Sequence, residues 1–341
     1  MLILGGFPMT SWRIGPAAMV AVLMLAAQGA LGGAPTEAHA ASSDFAYQVD
    51  PNAYTYKDIP GTSVMFDATE GEKSYLRATG LTVSSVDPLK AGDNIGNTFA
   101  IRCRYSNGAE LPADQESGAY WATNLVPPAE TSLTPVLRWM FVAPTTDTYE
   151  CRISVTSYST IIKDGRTVGM KIPAGAQIVR SRYGGAARWT LPDVSAAVVA
   201  RGSTLTTLGQ TYAPVGSGRT TVVQDAQLTT CKPASSICSG GTSAYTGTQV
   251  ETWIEAQPQK SDGTACGSVV KGPVSTWSIS TAKHHQTATN SLYLEKAQLS
   301  DCPRMRLSLK IRNVDGNPLQ VHAGWVLGRV AATRGLAVTA G

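Results

Sequence analysis

The chain has 341 residues, of which 43% are hydrophobic and 15% charged, with 28 Lys and Arg against 24 Asp and Glu. The formal net charge of +4 comes without a block of like charges, which excludes the strongly basic surface of a nucleic-acid-binding protein. Many Ser, Thr, Gly and Ala residues with few charges are typical of an extracellular β protein, and exclude a charge-rich helical protein of the cytosol.

The N-terminus has the pattern of a secretory signal peptide. An uncharged apolar segment, residues 15–31, follows Arg13, and Ala38-His39-Ala40 forms an A-x-A cleavage site. A membrane anchor is the alternative, because the apolar segment is just long enough to span a bilayer, but the cleavage site favours removal. We therefore expect residues 1–40 to be a signal peptide and residues 41–341 to be secreted into the extracellular space, without membrane insertion of the mature chain.

All six cysteines lie after the cleavage site, and an even count in an exported chain predicts three disulfides. A zinc site is the alternative, but no C-x2-C pair occurs and an oxidising compartment disfavours free thiolates. The division into domains proposed below favours three pairs: Cys103 with Cys151, Cys231 with Cys238, and Cys266 with Cys302.

Period-2 alternation of apolar and polar residues dominates the chain after the signal peptide, and no helix-length segment of period 3.6 interrupts it. The stretches 99–105, 137–141 and 149–155 alternate clearly, and Cys103 and Cys151 fall on inward positions of two of them. Side chains that face inward from different strands can meet inside a sandwich. We therefore expect the Cys103–Cys151 disulfide to cross the core.

Two turn signals predict hairpins. Asp164-Gly165 is expected to join a strand at 159–162 to one at 167–172, because Asp-Gly favours a type I′ turn. Asp315-Gly316-Asn317-Pro318 is expected to join the strand at 306–312 to one at 319–325.

Residues 183–187 and 212–218 are rich in Gly, Ala and Pro, and we place a domain boundary in the interval that they flank, near 195–215. Each half has short strands separated by turns, and crossover helices for a parallel sheet are missing. The sequence thus predicts an all-β protein with two antiparallel β-sandwich domains, residues 41–200 and 201–341.

A short motif in the first half resembles a known fold. Cys103, Trp121 and the segment Asp147-Thr148-Tyr149-Glu150-Cys151 resemble the first cysteine, core tryptophan and D-x-Y-x-C ending of an immunoglobulin-like domain. The resemblance covers about residues 95–160 and implies an immunoglobulin-like β-sandwich of a secreted bacterial protein, with Tyr149 as its tyrosine corner. Trp121 lies further from the first cysteine than usual, which leaves Trp139 as the alternative core tryptophan. The resemblance implies no chemistry.

Motifs for catalysis or metal binding each have a structural explanation. His284 and His285 suggest a metal site or a general base, but neighbouring strand residues point to opposite faces, and His322 is predicted to face outward. Ser280 and Lys283 match S-x-x-K, yet they continue a β pattern, whereas that motif belongs at a helix start. We therefore predict no catalytic residue in these motifs.

Acidic and amide residues offer two further candidates. Asp93, Asn94 and Asn97 provide oxygen ligands for calcium, with a polar turn as the preferred interpretation. Glu251 and Glu255 suggest the paired acids of a glycoside hydrolase, but they lie along one strand without an evident partner. We therefore interpret both glutamates as solubilising charges.

Exposed aromatic residues are the better indication of binding. Trp253 alternates onto the same face as Glu251 and Glu255, and an outward Trp beside acids is typical of a sugar-stacking or protein-contact patch. Tyr120 and Trp121, in what is predicted to be a Gly-bounded loop, are a second candidate for this patch.

The sequence therefore predicts a secreted, non-enzymatic β-sandwich protein that acts as a binding or structural module of the extracellular space or cell envelope. Its partner is expected to be an extracellular protein or a polysaccharide, without nucleic acid, cofactor, metal or catalytic residues. The alternatives are a secreted hydrolase with a dispersed active site and a secreted inhibitor that presents the disulfide-pinned loop between Cys231 and Cys238.

Overall fold

Short β-strands make up almost all of the regular structure. The computed structural model describes residues 40–340, apart from 51–54, 113, 129, 184, 192–196, 216–217, 236–237, 300–301, 324 and 327–329. In this part of the chain there is no α-helix, only two 3-10 helices at Lys163–Gly165 and Lys296–Leu299. None of the described helices is long and apolar enough to cross a membrane. The all-β prediction is confirmed, whereas the predicted signal peptide, except Ala40, lies outside the described residues.

The strands follow one another along the whole described chain. In chain order they are β1 (Phe45–Gln48), β2 (Lys57–Asp58), β3 (Val64–Ala68), β4 (Lys73–Thr79), β5 (Val83–Ser85), β6 (Asn94–Tyr105), β7 (Gly118–Leu125), β8 (Ser132–Leu133), β9 (Arg138–Val142), β10 (Asp147–Ile161), β11 (Gly169–Ile172), β12 (Gln177–Arg182), β13 (Gly185–Thr190), β14 (Ala197–Val199), β15 (Thr204–Tyr212), β16 (Thr220–Thr230), β17 (Gly247–Gln259), β18 (Val270–Lys271), β19 (Ser275–Ser280), β20 (His285–Leu294), β21 (Arg304–Gly316), β22 (Leu319–Val321), β23 (Trp325–Val326), β24 (Val330–Ala331) and β25 (Arg334–Thr339).

Four sheets, named A to D here, collect these strands. Sheet A has the order β1-β11-β5-β8, sheet C the order β12-β4-β9, and sheet D the order β15-β21-β17-β18 with β19 also on β17. Sheet B follows the path β13-β25-β16-β20-β7-β6-β10-β2, with the remaining strands attached beside it. Among the described strands the pairing is antiparallel except between β24 and β7. Neighbours in a sheet are therefore often far apart in sequence.

Two large apolar cores lie between these sheets. The first contains fully buried rings such as Phe99, Trp139 and Tyr149, and the second contains aliphatic residues such as Val222 and Leu307. The first core contains residues from 47 to 178 together with Ala331, and the second contains residues from 189 to 337, so the C-terminal part of the chain contributes to both. Both use strands of sheet B, which runs from one half of the chain into the other. Whether each half is an independent domain therefore stays a prediction.

A buried ion cluster lies where the two halves of the chain meet. The carboxylate of Asp225 in β16 accepts hydrogen bonds from Arg138 in β9 and, at 3.2 Å, from Arg334 in β25. Arg334 also donates to the backbone carbonyl oxygens of Arg138 and Tyr120. Burial lowers the pKa of Arg334 to about 10, although the charge of Asp225 opposes this shift. The cluster joins strands of the first half to strands of the second.

Three disulfides are present, in the pairs that the sequence favours. Their presence favours an extracellular protein, because disulfides persist in oxidising compartments. The expectation that Cys103–Cys151 crosses a sandwich core is wrong, since the two cysteines are directly opposite each other on the adjacent strands β6 and β10 of sheet B. Both side chains point inward, as alternation requires, but they link neighbours within one sheet.

The two predicted turns form, but neither makes a hairpin. Asp164 and Gly165 have φ angles of 64° and 61°, as a type I′ turn requires, yet β10 before the turn belongs to sheet B and β11 after it to sheet A. Likewise, the turn around Gly316 leads from β21 in sheet D to β22, which pairs with β14 and β16 in sheet B. Alternation determines which face a side chain occupies, but it does not determine which strand lies alongside.

The immunoglobulin-like motif has a mixed outcome. The hydroxyl of Tyr149 donates to the carbonyl oxygen of Thr145 at 2.5 Å, the contact expected of a tyrosine corner. Trp139 is 1% exposed in the first core, and Trp121 is 6% exposed beside Phe99. The arrangement of the cysteines departs from the motif, because they lie on adjacent strands.

Candidate functional site

The outward face of sheet D, called here the Trp253 face, contains the principal predicted binding residues. Along β17, Val250, Ile254 and Ala256 are at most 1% exposed and point into the second core. Glu251, Trp253 and Glu255 alternate with them and are half-buried on the opposite side. The predicted alternation of this strand is thus confirmed, and the structure brings these three side chains onto one surface.

Trp253 lies at the centre of this face. Its indole Nε1–H donates to Oε1 of Glu255 at 2.8 Å, and the ammonium group of Lys271 lies 4.4 Å from the ring centroid. Opposite it on β21 is Lys310. The indole is therefore held by polar neighbours at the surface of the sheet.

Both glutamates are in ion pairs with β21. Glu255 lies 3.3 Å from Nζ of Lys310, which also donates to Oγ1 of Thr206 at 2.8 Å. Glu251 lies 3.5 Å from Nη1 of Arg312. All four charged side chains are between 22% and 49% exposed. Because water screens such solvent-exposed ion pairs, they contribute little to the stability of the fold.

A depression of about 470 Å³ lies on this face next to Glu255 and Lys310, the two neighbours of Trp253, while Trp253 itself is not one of its lining residues. It is lined by Thr206, Gly209, Glu255, Gln257, Val269, Arg306, Ser308 and Lys310. Most of these side chains offer hydrogen-bond donors or acceptors. Alternation along β21 opposes Arg306, Ser308 and Lys310 to the buried Leu307, Leu309 and Ile311, but it does not indicate a site. Only the pairing of β21 with β17 brings these positions, about 50 residues apart, together.

Tyr120 and Trp121, the second part of the predicted patch, are not in a loop. Both lie within β7, where they are 8% and 6% exposed. The loop assignment is wrong because Gly118 begins a strand that pairs with β6, and a Cβ at this position would lie 1.6 Å from the carbonyl oxygen of Ile101. The structure does not bring these two rings to the Trp253 face.

Three histidines, His284, His285 and His322, come together near Thr229. Its Oγ1 lies 2.7 Å from Nδ1 of His285 and 2.6 Å from Nε2 of His322, and the rings of His284 and His285 are 4.0 Å apart. The expectation that His322 faces outward is therefore wrong. Burial lowers the pKa of all three imidazoles, that of His322 to about 4. In the described part of the chain no group of three His, Cys, Asp or Glu side chains is placed to hold a metal ion.

The S-x-x-K motif does not form a nucleophile and base pair. The hydroxyl of Ser280 accepts from the backbone N–H of Lys283 at 2.9 Å, so it caps a turn. The ammonium group of Lys283 points elsewhere and pairs with Glu130. Both side chains therefore stabilise local structure, and they do not form a nucleophile and its base.

The amide and acid residues considered for calcium already have partners within the protein. Burial alone would raise the pKa of Asp93, but hydrogen bonds from Arg166 and from the backbone N–H groups of Lys163 and Lys90 lower it to about 2. Asn97 accepts a hydrogen bond from Ser157. Asp93 thus anchors the turn at 163–166, as the polar-turn interpretation favours.

Comparisons with known proteins give little further information. No known protein family matches the sequence, and no curated protein matches it. Among solved structures, a Parabacteroides distasonis protein inferred to be secreted is 8% identical, with 87% of this chain and 89% of that chain covered and a TM-score of 0.21. The tandem CBM22-1–CBM22-2 domain of Paenibacillus barcinonensis Xyn10C is 10% identical, with 90% and 98% covered and a TM-score of 0.23. The T13 particle of infectious bursal disease virus is 10% identical, with 90% and 74% covered and a TM-score of 0.26. These scores are too low for any statement about this chain to depend on them.

Proposed function

We propose that this chain is a secreted, non-enzymatic binding module that takes a polysaccharide on the Trp253 face. The observation that carries the proposal is a half-buried tryptophan on the outward surface of a sheet, next to a polar depression of about 470 Å³. A sugar ring presents C–H groups that pack on an indole and hydroxyl groups that hydrogen-bond to neighbouring side chains. The face offers both kinds of contact.

The surroundings of Trp253 suit a sugar better than a protein. Gln257, Ser308 and Thr206 provide neutral polar groups within reach of hydroxyls, and Val269 is the apolar side chain lining the depression. A stable protein interface needs roughly 800 Å² on each partner around a largely apolar centre. Lys271 covers the indole with an exposed, flexible side chain, and a cation–π contact at such a site is worth only about 0.5–1 kcal/mol. A stacking sugar can therefore displace it.

The contacts of the two glutamates favour binding over hydrolysis. A glycoside hydrolase holds two acids on either side of the scissile bond, one of them with a raised pKa. Glu251 and Glu255 project from the same strand and pair with Arg312 and Lys310. The inhibitor alternative rests on the Cys231–Cys238 loop, whose residues 236–237 lie outside the described residues.

Replacing Trp253 tests this function. We expect Trp253→Ala to lower the affinity for the bound polysaccharide about tenfold or more, because the packing area of the indole is lost. Affinity gel electrophoresis against a panel of neutral and acidic polysaccharides measures the loss. Tyr293→Ala is the matched control, since Tyr293 is a 57% exposed aromatic residue of sheet B. The proposal would be contradicted if Trp253→Ala bound the polysaccharide as tightly as the wild type, or if Trp253→Ala and Tyr293→Ala lost equal affinity.

We also propose that residues 1–40 are removed during export. The backbone N–H of Ala41 donates to the carbonyl oxygen of Ala176 at 2.9 Å, and the Ala41 side chain is buried, whereas Ala40 is exposed. Within the described residues, which start at Ala40, the expected new N-terminal residue is thus already packed against the fold. N-terminal sequencing of the protein recovered from the culture medium should begin at Ala41, and a sequence that begins before residue 32 would be inconsistent with this cleavage.

The finer fold assignment is likewise a proposal. The Tyr149 corner supports an immunoglobulin-like arrangement of residues 95–160, and the two separate cores support two β-sandwich domains. The disulfide within sheet B departs from that family. Calorimetry of the whole protein tests the division into domains, by whether the heat-absorption curve has one peak or two.

A further inference from the structure

We infer that the polysaccharide taken by the Trp253 face is acidic, a chain whose sugars carry carboxylate groups; this inference rests on the proposed function. The exposed and half-buried side chains of β17, β18 and β21 include five cations and three carboxylates, an excess of two positive charges: Lys271, Arg304, Arg306, Lys310 and Arg312 against Glu251, Glu255 and Asp315. The chain as a whole has a formal charge of only +4, so this sheet holds a large share of the imbalance. A surface with such an excess attracts anionic ligands.

Arg306 is the cation best placed to bind a carboxylate. It lines the depression and is exposed on β21, opposite Gln257. Lys310 and Arg312 are neutralised by the two glutamates, whereas Arg306 has no ion-pair partner among the described residues. A guanidinium group can hold a carboxylate through two parallel hydrogen bonds.

A bulge in β15 makes room for this guanidinium group. The register between β15 and β21 shifts between Thr207 and Gln210, and Leu208 has a φ of 51°, a conformation that residues other than glycine rarely adopt. The carbonyl oxygen of Leu208 accepts a hydrogen bond from Gln224, which helps to hold the bulge. Beside it, a Cβ on Gly209 would lie 3.2 Å from Nη2 of Arg306. Because Gly209 has no side chain, the guanidinium group of Arg306 can extend over the backbone of β15 at this position.

Two forms of one polymer separate charge from shape. Polygalacturonate and its fully methyl-esterified form share a backbone and differ in the charge of the carboxyl groups. We expect the protein to bind polygalacturonate at least about tenfold more tightly at low salt, with the ratio falling as salt screens the charges. Isothermal titration calorimetry of the full mature chain measures both affinities.

Two variants with the same change in net charge then locate the effect. Arg306→Gln should weaken binding of polygalacturonate about tenfold or more and leave binding of the methyl ester unchanged. Arg219→Gln is the control, because Arg219 is 49% exposed, pairs with Glu295 and immediately precedes β16 of sheet B. It should leave both affinities unchanged. Circular dichroism checks that each variant is folded.

The outcomes distinguish the inference from the proposed function. Equal binding of both polymers, lost from both in Trp253→Ala, would leave the proposed function standing and overturn the inference of an acidic ligand. Equal effects of the two arginine variants would also overturn it, because net charge and not the Trp253 face would then govern binding. If neither polymer binds, the inference fails, and the neutral polysaccharides of the panel decide the proposed function.

Discussion

His322 shows how a single partly buried side chain makes stability depend on pH. Its ring packs against Thr229, with Nε2 of the imidazole 2.6 Å from Oγ1, and burial lowers its pKa to about 4, below the ordinary value of 6.5. The unfolded chain therefore binds a proton at this side chain at a higher pH than the folded chain does. The contribution of His322 to the free energy of unfolding is therefore fully present above about pH 6.5, and it is lost as the pH falls towards 4.

Replacing this residue should flatten the pH dependence. We expect wild-type protein to lose stability between pH 7 and pH 4.5, with His322 contributing on the order of 2 kcal/mol. His322→Gln should lose less over the same range, and the remaining loss should reflect the lowered pKa of His284 and His285. Urea unfolding at both pH values measures the two differences. Parallel losses in the variant and the wild type would show that the ring does not titrate as its burial implies.

Disulfides act at the scale of strands. Cys103–Cys151 joins two neighbouring strands of sheet B across 48 residues, whereas Cys231–Cys238 closes a separation of 7. In the chain-entropy account a longer closed loop restricts the unfolded chain more, which gives roughly 4 kcal/mol for the first bridge and roughly 2 kcal/mol for the second.

Paired substitutions compare the two bridges. We expect Cys103→Ala with Cys151→Ala to lower the free energy of unfolding more than Cys231→Ala with Cys238→Ala does. Chemical denaturation of both double variants gives the order directly. The reverse order would mean that native-state contacts of the short loop outweigh the entropy of the long one.

The same strands show how far the sequence predicts the fold and the site. The alternation of β17 correctly placed Trp253 with Glu251 and Glu255 on one outward face, because burial of every second residue is a local property. Arg306 was missed as a site residue, since only the pairing of β21 with β17 brings it beside them. The turn at Gly316 is present as predicted, but the hairpin expected there is not formed. The strands before and after it pair elsewhere, β21 with β17 and β22 with β16. Local patterns thus predicted faces and turns, while long-range pairing decided the sheets.

Sheet B and the buried ion cluster connect the halves of the whole molecule. Strands β7 and β20 are neighbours in this sheet, and Asp225 of the second half binds Arg138 of the first. Breaking the halves apart would leave buried charges without partners, a change that costs several kcal/mol. The sequence nevertheless predicts two domains.

Calorimetry of the oxidised mature chain distinguishes these possibilities. We expect one cooperative heat-absorption peak, with a calorimetric enthalpy equal to the van't Hoff enthalpy, because the shared sheet links both cores. Two separable peaks would contradict this expectation and support independent domains at 41–200 and 201–341. Separate expression of the two segments, followed by the same scans, provides the control.

The position of β25 has a consequence for biogenesis. Residues 334–339 form a fully buried strand that lies between β13 and β16 inside sheet B, although they follow all the other described strands in the chain. Until they arrive, two strand edges have no neighbour and stay open to wrong pairing. Sheet B can therefore be completed only after its last described strand has been synthesised, so a nascent chain that lacks β25 cannot reach the native pairing.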